Sequence, residues 1–116
     1  MSADLDELRR QVRDFVTARD WDQFHSPKNL AMALSVEASE LLEIFQWLTE
    51  EQSRNLSPEA RAAASDEIAD VLIYLIRVSE KLEIDPIDAA HRKLAANERK
   101  YPVDKARGNS KKYNEL

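Results

Sequence analysis

Ser26-Pro27, Ser57-Pro58 and Asp85-Pro86 each set a capping side chain directly before a proline. The Ser or Asp oxygen can accept from the free N–H groups of a first helical turn. The proline suits that turn because its missing N–H would have had no partner there. Three such openers in one chain predict a protein built from helices. Four helices are expected: Ala3 to Arg19, Ser26 to about Leu48, Ser57 to about Leu82, and Asp85 to about Arg99. The first has no such opener, but Leu5, Leu8, Val12, Phe15 and Val16 recur at helical spacing and give it one apolar face. Asp20 to His25 breaks that pattern and reads as a connection. Tyr101-Pro102 ends the last helix. Val103 to Leu116, with Gly108-Asn109-Ser110, is expected to be irregular and to order on a partner or ligand.

The single glycine strengthens the helical reading, because a sheet protein needs tight turns and those usually want glycine. The expected fold is all-α: a compact, four-helix bundle-like subunit with the second and third helices as its central pair. At 116 residues, one domain spanning 1–116 is expected, with 103–116 as a basic C-terminal tail. So short a domain is only marginally stable alone, and assembly is a common remedy.

Charge is unevenly spread. The net charge of -5 argues against a nucleic-acid polymer as partner. Yet His91 to Lys112 holds Arg92, Lys93, Arg99, Lys100, Lys105, Arg107, Lys111 and Lys112 against only Glu98 and Asp104. An acidic body with a basic arm suits an anion gripped through a metal on one side and cations on the other. A solvated helix end with a free tail is the plainer alternative. There is no cysteine, so disulfides and thiolate metal sites are excluded. Met1 to Arg10 has no apolar signal region and no run approaches membrane-spanning length, so the expectation is a cytoplasmic protein without a membrane partner.

The third expected helix contains Ile68-Ala69-Asp70-Val71-Leu72-Ile73-Tyr74-Leu75-Ile76-Arg77-Val78, apolar around almost its whole circumference. Such a helix is predicted to be buried in its own bundle or against another subunit. Its polar exceptions, Glu67, Asp70, Tyr74 and Arg77, are spaced three, four and three and share one stripe. The second helix offers a matching stripe of Glu37, Glu40, Ile44 and Trp47, with Glu43 slightly round the face. Like charges at this spacing repel, and apolar surroundings raise the cost. A hard divalent cation such as Mg2+ would offset it, since it prefers carboxylate, water and phosphate oxygens. Solvated acid pairs are the alternative. A di-iron bundle would need Glu-x-x-His on two helices, whereas Asp88-Ala89-Ala90-His91 is the single near match.

Glu37-x-x-Glu40 followed by Glu67-x-x-Asp70 resembles the magnesium motif of the MazG-like, all-α nucleoside triphosphate pyrophosphohydrolases. Arg19-Asp20-Trp21-Asp22-Gln23-Phe24-His25, Pro27-Lys28-Asn29-Leu30, Phe45-Gln46-Trp47, Asp70-Val71-Leu72-Ile73-Tyr74-Leu75, Arg99-Lys100-Tyr101-Pro102 and Ser110-Lys111-Lys112-Tyr113-Asn114-Glu115-Leu116 are similar to the dCTP pyrophosphatase branch. The resemblance implies hydrolysis of a nucleoside triphosphate, dCTP or a modified dCTP, to the monophosphate and pyrophosphate, a housecleaning role in the nucleotide pool. It implies Mg2+, with Mn2+ as a substitute, and a homodimer or homotetramer with sites near subunit interfaces. Carried onto this chain, Glu37, Glu40, Glu67 and Asp70 become the metal ligands. Hydrolysis then needs an acidic residue to orient or deprotonate the water, and Glu40 or Glu43 is the expected one, the sequence alone not choosing between them. Trp21 and Trp47 would help enclose the base, with Tyr74 near the sugar and His25 also at the substrate. Lys93 and Asn97 would lie near the nucleotide, and Arg107, Lys111 and Lys112 would serve the phosphates. One departure stands out: Val12 occupies a first-helix position where some vertebrate members carry His. A non-catalytic helical dimer that binds nucleotides or acts as an adaptor is the alternative in a different class.

Overall fold

A computed structural model describes Ala3 to Leu116; Met1 and Ser2, part of the expected 1–116 domain and of the segment inspected for a signal, lie outside the described residues. Among the described residues there are six α-helices and no strand: α1 (Ala3–Ala18), α2 (Pro27–Phe45), α3 (Glu50–Arg54), α4 (Pro58–Lys81), α5 (Pro86–Lys100) and α6 (Val103–Ala106). The all-α expectation is met, and the four long elements are the four predicted.

The capping signals act locally, as their chemistry demands. Ser26 Oγ accepts from the Asn29 N–H at 3.1 Å, and Ser57 Oγ accepts from the Ala60 N–H at 3.1 Å. Asp85 accepts from the N–H groups of Ile87 and Asp88. Each prolyl ring follows its cap at the first helical position. Helix α4 stops where Glu83 takes a left-handed backbone (φ 56°) and the Ile84 N–H reaches back to the Ser79 carbonyl at 2.9 Å. That is the turn with which many helices satisfy their last carbonyls, here without the usual glycine.

Two boundaries differ from expectation. Helix α2 ends at Phe45, before Leu48, because Thr49 opens the short helix α3. Its hydroxyl accepts from the Gln52 N–H while the Gln52 side chain accepts from the Thr49 N–H, a reciprocal capping box. The segment after Pro102, expected to be irregular, carries α6 and a 3-10 turn at Tyr113–Glu115. It folds back on α5: the Tyr113 ring meets Tyr101 edge-on at 6.3 Å and lies under the Lys100 ammonium at 5.0 Å.

Helices α2 and α4 form the central pair, and α1 packs on α4. Val12 and Val16 of α1, Leu30 of α2, and Ala64 and Ile76 of α4 are buried. The molecule is drawn out, with a radius of gyration of 17.6 Å and extents of 51 × 36 × 27 Å, where about 13 Å is usual for a compact domain of this length. The extended shape leaves apolar surface in water. Ile68, Leu72 and Leu75 of α4 are 56%, 40% and 42% exposed. The all-round burial expected for this helix is thus incomplete within one chain. No helix among the described residues is long and apolar enough to cross a membrane.

Candidate functional site

The central pair brings the predicted acids together. Carboxylate oxygens of Glu37 on α2, and of Glu67 and Asp70 on α4, lie within 4.8 Å of one another. Glu37 projects from one helix; Glu67 and Asp70 share a face of the other because residues three apart do so. Glu40 stands outside that threefold group but close enough to act on Glu37 and Glu67 electrostatically. Glu43 is exposed one turn further on. No histidine joins the cluster among the described residues, and His91 sits exposed on α5, which removes the di-iron reading.

The cluster is electrostatically unsatisfied. Glu37 Oε2 and Glu67 Oε2 are buried without a hydrogen-bond partner. Burial, followed by the crowding carboxyls of Glu67, Glu40 and Asp70, pushes the Glu37 carboxyl up to about 7. Burial raises Glu67 too, as do Glu40 and Asp70, while its hydrogen bond with Glu37 works the other way. Two orphaned carboxylate oxygens that gain no donor from the protein, in a set of hard oxygens only, are the donor set a divalent cation such as Mg2+ or Mn2+ takes. The residues present fit such an ion.

A second feature adjoins α4. A cavity of about 300 Å³ is lined by Gln11, Val12, Phe15 and Val16 of α1, Trp21 and His25 of the connection, and Ile73, Tyr74 and Arg77 of α4. The lining is mostly apolar. Trp21 meets Phe15 edge-on at 5.7 Å, and the Arg19 guanidinium lies over that phenyl ring at 3.7 Å from its centroid. Three predicted substrate residues, Trp21, His25 and Tyr74, are thereby gathered around one hollow, and Val12 forms part of its apolar wall.

The other predicted residues are dispersed. Trp47 lies beyond the end of α2, 86% exposed, and is not part of this lining. Lys93 and Asn97 are on α5, the lysine exposed and the asparagine half-buried. Arg107, Lys111 and Lys112 are exposed in the C-terminal segment. A larger cavity of about 500 Å³ between α1, the end of α4 and the start of α5 contains none of the predicted residues, and its two arginines are paired, Arg9 with Asp6 and Arg13 with Glu80.

Arg77 was legible as part of the α4 stripe but not as a site residue. Its side chain is only 4% exposed, yet its guanidinium donates to Asp22 Oδ1 at 2.7 Å and to His25 Nδ1 at 3.3 Å. Lys81 adds a second cation on Asp22 at 2.6 Å. The hydrogen bonds from Lys81 and then Arg77 hold the Asp22 carboxyl below its usual range. Burial, then the Arg77 charge, depresses the His25 imidazole. The available signal was the one cation in the most apolar stretch of the chain, which needs a partner if it is buried.

Comparison with known proteins follows the same outline. The model of the MazG-like family matches residues 32–116. The human protein dCTP pyrophosphatase 1 is 43% identical over 114 residues, covering 97% of this chain and 67% of its own length. The bovine protein of the same name is 41% identical over 114 residues, with 97% and 68% covered. A crystal structure of a pyrophosphatase from Archaeoglobus fulgidus shares 43% identity at a TM-score of 0.82, covering 88% of this chain and 95% of that one.

Proposed function

The chain belongs to the MazG-like family, and from that premise we propose that it hydrolyses dCTP, or a modified dCTP, to the nucleoside monophosphate and pyrophosphate with Mg2+. It is a nucleoside triphosphate pyrophosphohydrolase, as its likeness over nearly the whole chain to dCTP pyrophosphatases and in fold to a pyrophosphatase indicates. One observation carries the assignment of the site: three carboxylates from two helices converge within 4.8 Å, with two of their oxygens buried and unpartnered.

Glu37, Glu40, Glu67 and Asp70 would hold the cation, Mg2+ or Mn2+ in its place. When bound, such an ion neutralises phosphate charge and lowers the pKa of a water. The carboxylate of Glu40 or Glu43 orients the attacking water and accepts its proton. Attack at the α-phosphorus breaks the bond to the bridging oxygen, and pyrophosphate leaves. Lys93, Arg107, Lys111 and Lys112 are the cations available to the departing charge, and Asn97 can hydrogen-bond the nucleotide. Trp21, Tyr74 and His25 line the hollow that takes the base, and Trp47 offers a further flat face.

Trp47 and the α4 stripe of Ile68, Leu72 and Leu75 are the apolar surfaces a second copy would cover, which favours a homodimer or homotetramer. The functional reading is tested by mixing purified protein, dCTP and Mg2+ and separating the products. dCMP and pyrophosphate are expected; dCDP with inorganic phosphate would sink the bond assignment.

A further inference from the structure

Arg77 and His25 are 52 positions apart in the chain and meet only through the fold. The Arg77 side chain is nearly sealed from water, and a guanidinium has donors and no acceptor, with no deprotonated form available to it. Its Nε–H points at His25 Nδ1 at 3.3 Å. Only an unprotonated Nδ1 can accept that bond, so the ring proton must sit on Nε2. Turning the ring over would set a C–H against the guanidinium and leave a buried donor without an acceptor. The same guanidinium donates to Asp22 on the other side, and Asp22 is tied to Lys81. Both ends of the 3-10 turn at Asp22–Phe24 are therefore anchored to α4 through Asp22 and the adjoining His25. The wall of the 300 Å³ cavity that contains Trp21 and His25 is built on this anchor.

We propose that Arg77 is a positioning residue that locks His25 in its Nε2–H tautomer, so that the imidazole offers the cavity a hydrogen-bond donor that selects a nucleobase edge bearing acceptors. The chemistry separates pyrimidines. Cytosine carries adjacent acceptors at O2 and N3, whereas thymine and uracil carry an N–H at N3. Thymine and uracil keep acceptors at O2 and O4, so the discrimination is made at N3: a donor held opposite N3 pairs with cytosine and faces the N–H of thymine or uracil donor to donor, which leaves polar groups unpaired in a mostly apolar hollow. The depressed basicity of His25 is consistent with a neutral ring that accepts from a cation. The selectivity half of this inference rests on the dCTP reading above; the tautomer half does not.

The decisive measurement is nitrogen-15 NMR of the imidazoles in the full-length protein at neutral pH, with His91→Gln assigning the His25 signals. A neutral ring protonated at Nε2 is expected, and Arg77→Met should release it to a mixture of tautomers or to water-exposed titration. A His25 ring protonated at Nδ1, or doubly protonated at neutral pH, in the unsubstituted protein would overturn the proposal. This readout needs neither substrate nor turnover, so it stands whether or not dCTP is cleaved. In kinetics, Arg77→Met and His25→Phe should each raise KM for dCTP about tenfold relative to dTTP while kcat changes little, the loss expected for one buried hydrogen bond. The two together should cost no more than either alone, because they remove one interaction. Additive losses, or an unchanged dCTP to dTTP ratio in a folded variant, would refute the selectivity role. If Arg77→Met does not fold, His25→Phe keeps the selectivity arm testable and the unsubstituted protein keeps the tautomer arm testable. An enzyme that cleaves no pyrimidine triphosphate would overturn the substrate reading and leave the tautomer assignment in place.

Discussion

Replacing Glu37 by glutamine should make the metal-free protein more stable at alkaline pH, although it removes a residue assigned to the metal. In the folded, metal-free protein the Glu37 carboxyl keeps its proton up to about pH 7; its ordinary value is 4.5. A group whose pKa is higher in the folded state favours folding fully below its unfolded value, and that contribution is lost as pH rises through the folded value. Above pH 7, Glu37 must therefore ionise beside Glu67, Glu40 and Asp70. Glutamine is neutral at every pH and retains an N–H donor for a neighbouring carboxylate. Solvent screens much of the repulsion at a partly exposed site, so relief of about 1 kcal/mol is expected near pH 8. For a domain of this size that corresponds to a rise of about 4 °C in Tm. The gain should be largely lost by pH 5, where Glu37 is protonated in the folded chain. Thermal unfolding followed by helical circular dichroism in EDTA, at pH 5 and pH 8, gives both numbers. Adding Mg2+ should then reverse the order at pH 8, stabilising the unsubstituted protein and not Glu37→Gln. A variant that melts lower than its parent at pH 8 in EDTA, or a difference that does not change with pH, would refute the crowded-carboxylate account.

Asp70→Asn should lower turnover by about a hundredfold or more, as loss of a metal ligand exceeds the usual cost of an outer-shell change; near-normal activity with intact circular dichroism would remove Asp70 from the metal set. Trp47 is 86% exposed within one chain, so Trp47→Ala should leave helical circular dichroism intact while raising KM for cytosine nucleotides, and an unchanged KM would take Trp47 out of the base site. Ser57→Ala deletes the hydroxyl that accepts from Ala60 and should cost about 1 kcal/mol of stability without altering KM, measured by urea unfolding and steady-state kinetics.

Helix existence was readable from the chain because capping operates over three or four residues. Ser26, Ser57 and Asp85 each find their partner within the first turn. Thr49-x-x-Gln52 was an equally local signal, and it explains why α2 stops early. The acid spacing was local too: Glu67 and Asp70 had to share a face once α4 was a helix. The chain could not place Glu37 of another helix against them, nor orphan two of the oxygens, because both follow from how α2 meets α4. The hollow beside Tyr74 is a tertiary product as well, since α1, the connection and α4 each supply part of its wall. Arg77 marks the boundary most clearly. Sequence alone set an arginine in the polar stripe of an otherwise apolar helix, where burial would require a partner for it. The fold chose Asp22 and His25, more than fifty positions away, because a sealed guanidinium must satisfy its donors with whatever acceptors tertiary packing brings within reach.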